Sequence, residues 1–495
     1  MTSVNAWDPI PDLDAATTLG TALRAVGYTT EAIEELLGED GPSADLAESV
    51  VYERRLPRSP IATTIRLLLL QRPVATSDAA AALGPDGVDA LLGIGLVTTD
   101  GDELVPRARV VPSENLLLAF DGFSRGQDDP PGWVSSFTPT AYWLASLTPR
   151  RHVERALDIG TGNGAHALLA AGHADHVVAT DVNERALAFT QINAALNGME
   201  NVETRLGSLF EPVAGETFDL ITCNAPYVIS PERRWQYRDG GLPGDQLSER
   251  VVREAAPHLA DGGHASVLVS WLAESEDDPD ERIYEWLDGN GCDAWVLGLS
   301  GADPLDHAAG WNEHFTGDPE TMGAALDEWA AYFDALDAGW ITEGAVLMRK
   351  RDSDQHQVRA DPVDEEELEF ASDQIERVFT ALALVAEEGA SAILDARLAL
   401  TEEVRFDQEL DRHGDVQEVR IVLDEGTCPD LELELETAEV LTTLDGHRTL
   451  DQAIDRTVRR LELGKREAAE LRHDVLPVVR ELFELGFFEL VRVHA

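Results

Sequence analysis

Lysine is almost missing from this 495-residue chain, where only Lys350 and Lys465 occur. Basic residues number 38 against 93 acidic ones, for a formal net charge of −55 at pH 7. A surface so short of cations repels the phosphate backbone that a nucleic-acid binder must neutralise, unless a local basic patch survives. The same acidity keeps a protein soluble, a role suited to a salty setting. Cysteine is scarce too. Cys223, Cys292 and Cys428 lie far apart with no metal-ligand spacing, so they read as reduced, mostly buried thiols. No apolar run nears the ~20 residues that span a bilayer. The N-terminus lacks a basic-then-apolar signal segment. A cytoplasmic location with no membrane partner is therefore the expectation. Nucleophile-elbow and phosphate-loop spacings are also missing.

The length predicts several cores, divided at 1–125, 126–351 and 352–495. In the first segment Ala16–Val26, Thr30–Leu37 and Thr63–Leu70 have helical apolar spacing. Two short helical stretches flank Gly84-Pro85, and a hairpin is expected around Asp100-Gly101. Helix, turn, helix and hairpin suggest a winged-helix module. Its recognition helix, Asp86–Leu92, carries Asp89 and no base-reading cation, which favours a protein-contact role. The last segment, after an acidic linker or exposed helix start at 351–370, reads as a small α+β domain of similar flavour. Strands are expected there at Arg405–Leu410 and Gln417–Leu423, and helices at Leu450–Leu461 and Ala468–Leu485.

The middle segment alternates strand and helix, the pattern of a doubly wound α/β sheet. Seven strands are expected: 155–159, 176–181, 202–207, 218–223, 265–271, 294–299 and 344–349. Within it, Asp158-Ile-Gly160-Thr161-Gly162-Asn-Gly164 joins a strand to a helix. Glycines let the backbone turn sharply beside a ligand, and the following helix N-terminus offers free N–H groups. An acid before the first glycine suits a ligand with an ammonium group and would repel pyrophosphate. Asp181 ends the next strand, where an acid commonly accepts ribose hydroxyls. His166, His173 and His176 lie nearby, but no carboxylate or thiol completes a ligand set and no metal site is expected.

These residues resemble class I S-adenosylmethionine-dependent methyltransferases with the "small" methyltransferase domain. The resemblance covers about residues 137–350 and implies a seven-stranded Rossmann-like sheet whose last strand enters antiparallel. It implies S-adenosyl-L-methionine as cofactor, held by Asp158, Gly160, Thr161, Gly162, Gly164, Asp181, Val182, Ser208, Leu209 and Asn224. Ser208 stands where relatives often have Asp against the adenine amino group.

Asn224-Ala225-Pro226-Tyr227 is similar to the Asn/Asp-Pro-Pro-Tyr/Phe turn of methylases that act on adenine, guanine and glutamine nitrogens. A planar nitrogen must lose conjugation before its lone pair can attack. By the resemblance, Asn224 and the Ala225 carbonyl accept its two N–H bonds, Pro226 fixes the turn, and Tyr227 packs on the substrate. Phe137-Thr-Pro-Thr140 is the segment expected to close over the cofactor, with Tyr142 a weaker candidate beside it. The loop at 237–245, with Arg233, Arg234, Trp235 and Arg238, is expected at the mouth. Trp271 is a second aromatic candidate for the pocket, with core packing its commoner role. The longer context looks most like release-factor glutamine and ribosomal RNA methyltransferases. The expected function is N-methylation, with a protein or peptide side-chain amide ahead of a ribosomal RNA base. A cofactor-binding assembly scaffold is a third reading.

Overall fold

The computed structural model describes residues 7–38, 41, 46–113, 115–124, 129–130, 132–224, 226–232, 241–315, 317–413 and 416–491. The centre is an α/β unit with one large mixed sheet. Its strands are β1 (Val153–Ile159), β2 (Ala174–Asp181), β3 (Val202–Leu206), β4 (Phe218–Cys223), β5 (Leu259–Ala273), β6 (Cys292–Ala302), β7 (Trp340–Lys350) and β8 (Val358–Pro362). They lie in the order β8-β6-β7-β5-β4-β1-β2-β3. Neighbours run parallel except around β7, which is antiparallel to both β5 and β6. Central strands rich in Leu, Ile, Val and Ala bury both faces, as a sheet covered by helices on each side requires.

Among the described residues the sheet has eight strands where seven were expected. The extra strand, β8, lies in the acidic stretch read as a linker or helix start. Val358 and Ala360 face the sheet's apolar core, while Arg359 between them meets Asp361 and Glu481 at 2.7 and 2.6 Å. Alternation over five residues inside an acidic stretch was too short a signal to stand out.

The N-terminal unit places helices at Leu13–Ala25, Thr30–Leu37, Leu46–Arg55 and Thr76–Ile94. The last is kinked at Gly84, whose φ of 75° breaks the helical path before Pro85. A three-stranded sheet orders Val74–Ala75, Glu103–Pro106 and Val97–Asp100. Beyond it a hairpin, Ala108–Ser113 with Leu116–Asp121, was not expected from the sequence. Its outer strand docks on the helix Glu184–Leu196 through side-chain amides. Asn197 takes Leu117 N–H on Oδ1 and donates to Leu117 O, both at 2.9 Å. One turn earlier the buried Asn193 does the same with Ala119, at 2.7 and 2.9 Å. These amides satisfy strand groups that a buried edge would otherwise leave unpaired.

The C-terminal unit has long helices Ser372–Glu388 and Lys465–Glu484, with Leu450–Arg460 between. One three-stranded sheet orders Asp445–Thr449, Arg397–Leu400 and Phe488–Leu490. Another is a meander of Val404–Leu410, Val416–Leu423 and Asp430–Leu433.

Candidate active site

The order of strands reverses between β1 and β4, and ligands of open α/β sheets lie beyond the carboxyl ends of strands at such a point. Ile159 pairs with Cys223 across those strands, so the Gly160 turn and Asn224 emerge side by side. Ile159 also pairs with Thr180, which sets Asp181 next to the same turn. A cavity of about 490 Å³ opens there.

Gly160, Thr161, Gly162, Asp181, Val182, Ser208, Leu209, Asn224, Pro226 and Tyr227 all line it. Gly160 and Gly162 have φ of 66° and 58°. A Cβ on Gly162 would meet nothing nearer than Gly160 O at 3.9 Å, so the backbone lies bare to the cavity. Each oxygen of Asp181 accepts one backbone N–H, from Gly162 at 3.0 Å and Asn183 at 2.8 Å. Burial raises its pKa despite those bonds. Its remaining lone pairs suit hydroxyl donors.

Two expected cofactor residues lie elsewhere. Asp158 is 1% exposed and turned away from the cavity. Its carboxyl accepts Thr222 Oγ1 at 2.8 Å and Ala167 N–H at 3.1 Å, which ties β1, β4 and the next helix together. The structure gives Asp158 these internal partners where a direct ammonium contact was expected, and Asp158 does not line the cavity. Burial pushes Asp158 up to about 6, with Thr161, Thr222 and Ala167 opposing and Asp181 assisting. Between about pH 4 and 6 the native state thus keeps a proton that the unfolded chain gives up. The stability contribution of Asp158 is largest below that window and declines as pH rises through it. Carbon NMR of its carboxyl should show a midpoint near pH 6, and an ordinary midpoint near 4 would show that the group is not enclosed.

Gly164 does not face the cavity either. It has φ of 87°, and a Cβ there would lie 2.9–3.0 Å from Thr190 Cγ2, Cα and Oγ1. The glycine lets the helix Ala165–Ala171 approach Glu184–Leu196. Gly164→Ala should cost about 2–4 kcal/mol through backbone strain and overpacking. A denaturation midpoint equal to wild type would contradict this.

On the acceptor side, Asn224 is half-buried and makes no hydrogen bond to any described residue. Tyr227 packs on the Leu144 and Leu147 cluster. Burial and the Glu343 charge raise its hydroxyl well above the usual range, and a hydrogen bond with Thr140 opposes them. Phe137, Thr138 and Thr140 line the cavity. Their segment is held by Asn163, which donates to Ser135 O at 3.0 Å, and by Asn183, which donates to Gly132 O at 3.1 Å. Tyr142 is partly exposed and stacks edge-on with Phe370 outside the cavity. Trp271 is buried in the core, its indole N–H on Pro279 O at 2.7 Å. Ala225, Arg233, Arg234, Trp235 and residues 237–240 lie outside the described residues. His166 lines the cavity and is pushed down to about 4 by burial and Arg150. Among the described residues no cluster of His, Cys, Asp and Glu could hold a metal ion.

Sequence reasoning missed Trp311, Leu247, Asn163 and Asn183 in the cavity wall. Asn183 follows the noted Asp181 and caps the next helix, a signal that was available. Trp311 lies between β6 and β7, where no motif marks it.

Residues 138–276, which hold this cavity's glycine turn and Asn224, match the family described as Methyltransferase small domain. Residues 25–108 match a domain of unknown function, DUF7059. The chain is 34% identical over 169 residues to the ribosomal protein uL3 glutamine methyltransferase of Bradyrhizobium diazoefficiens, covering 30% of this chain and 52% of that one. It is 40% identical over 113 residues to the release factor glutamine methyltransferase of Aliivibrio fischeri, covering 22% and 35%. The chain thus spans about half or less of the length of these curated relatives. A solved structure, Trm5b from Pyrococcus abyssi, matches at 17% identity and a TM-score of 0.31, over 51% of this chain and 62% of that one.

Proposed function

We propose that this protein transfers a methyl group from S-adenosyl-L-methionine to a side-chain amide nitrogen of a protein or peptide. The observation that carries the reading is Asn224, a side-chain amide without a described partner in the same cavity as the bare glycine turn and Asp181. The residues present fit that cofactor. Gly160, Thr161 and Gly162 would pass along its methionine part, Asp181 would take ribose hydroxyls, and Val182, Ser208 and Leu209 would border the adenine. Asp158 and Gly164 would act from behind, by shaping the turn.

Bound there, the cofactor would supply an electrophilic methyl carbon, with its sulfur as the leaving group that keeps the bonding pair. Asn224 Oδ1 would accept an acceptor N–H and turn the nitrogen lone pair toward that carbon. The acceptor nitrogen would gain the methyl group through a new N–C bond and give up one proton to water. Alignment contributes most of the acceleration, worth up to several kcal/mol. Tyr227 would pack on the planar amide.

A planar side-chain amide suits the cavity wall, where Phe137, Tyr227 and Trp311 offer ring faces. The names of the curated relatives point the same way, since they are glutamine methyltransferases. Winged-helix flanks and a cytoplasmic setting belong to the same proposal. For the N-terminal unit the support is its strand order and the helix Thr76–Ile94 before its hairpin, with Asp78, Asp86 and Asp89 and no Arg or Lys. That suits docking to a protein. No described helix is long and apolar enough to cross a membrane.

Calorimetry with S-adenosyl-L-methionine tests the cofactor assignment. Asp181→Ala should bind about 10- to 100-fold more weakly than wild type, from loss of charge-assisted hydrogen bonds. Equal affinities would remove Asp181 from the site, and no binding by folded wild type would overturn the enzyme reading.

A further inference from the structure

Between β6 and β7 the chain makes an excursion with helices Pro304–Trp311 and Pro319–Ala335. Trp311 forms part of the wall of the main cavity, and it also lines a neighbouring groove of about 360 Å³. Glu343 of β7 and His307 line that groove beside it.

The hydrogen-bonding capacity here is unbalanced. Trp311 Nε1 donates to Glu343 Oε1 at 3.3 Å. His307 is 7% exposed and enclosed by the rings of Trp311, Trp329 and Phe333. Its Nε2 lies 3.2 Å from Ile229 O, an acceptor only, so Nε2 carries the proton and donates. The other ring nitrogen, Nδ1, is then a lone-pair acceptor in the neutral ring. It sits 3.7 Å from Glu343 Oε1, too far for a hydrogen bond. Burial holds His307 neutral, down to about 4, and burial also raises Glu343. Two acceptors therefore face each other across a gap, with exposed Asp306 at its edge and no described Arg or Lys in the lining. The described lining lacks a cationic donor, and Ile229 links it to the segment after Asn224.

We infer that Glu343 and His307 form a specificity subsite that receives a basic side chain of the substrate polypeptide, next to the residue whose amide is methylated. A guanidinium or ammonium brings several N–H donors and a positive charge, which meets both acceptors. Trp311 offers a ring face for a guanidinium to stack on. A carboxylate or phosphate would meet the Glu343 carboxyl and no described Arg or Lys. This rests on the methyl-transfer reading for its location beside Asn224.

The test is calorimetry on the full chain with S-adenosyl-homocysteine present. The probes are short acetylated peptides with one Gln flanked by Arg, Ala or Glu. Wild type should bind the Arg peptide at least about 10-fold more tightly than the Ala peptide, in keeping with a charge-assisted contact. Isosteric Glu343→Gln should remove most of that preference, with a melting temperature close to wild type. Equal affinity for the Arg and Ala peptides in wild type overturns the inference, as does an unchanged preference in Glu343→Gln or no peptide binding. Selective binding without methylation of any peptide would sustain the subsite and count against methyl transfer.

Discussion

Asn224→Ala should keep its affinity for S-adenosyl-L-methionine and lose at least about 100-fold in turnover, the scale set by misaligned reacting groups. The separation follows from placement. Asn224 lines the cavity at the end of β4, while the glycine turn and Asp181 come from β1 and β2. Its amide makes no hydrogen bond to a described residue, so its removal leaves no buried partner stranded and little reason to unfold. Single-turnover methylation of a glutamine peptide, read beside calorimetric cofactor binding, separates the two effects. Unchanged turnover would remove Asn224 from the mechanism. Lost cofactor binding would move it from the acceptor side to the cofactor side.

Raising KCl from 0.1 to 1 M should raise the melting temperature by more than about 10 °C, as the screening length falls from about 10 to 3 Å. The cations are too few for the acids, and the ion pairs show how thinly they are shared. Arg205 serves Glu203 and Glu216, Arg420 serves Glu418 and Asp430, and Arg472 serves Asp451 and Asp455. Exposed pairs of this kind add little each, and salt weakens them. Repulsion among the unpaired acids acts over longer distances, so screening it outweighs those losses. Thermal unfolding followed by circular dichroism checks the sign. A melting temperature that falls with KCl would mean that the pairs outweigh the repulsion.

Much of the centre was legible because its signals are local. A strand ending in Asp158-Ile159, three glycines and a helix leave few alternatives, and the same holds for Asn224 through Tyr227. What sequence could not supply was direction. Asp158 precedes the first glycine as a ligand-facing acid would, yet Thr222, 64 residues away in sequence, takes its carboxyl. Gly164 belongs to the motif, but its reason is Thr190 on another helix. β8 was hidden by acidic neighbours, and Trp311 by an excursion without any motif. In each case the deciding contact is distant in the chain.

Asn193 carries a consequence for how the molecule can be divided. Both ends of its amide are joined to Ala119 of the N-terminal hairpin, and its Nδ2 also donates to Asn163 O in the glycine turn at 2.7 Å. The border drawn by sequence near residue 125 is thus not a mechanical border. A strain on the strand Leu116–Asp121 has a load path of one side chain to the turn, so exchanging the N-terminal segment for a foreign one would detune the central unit even where every cavity residue is kept.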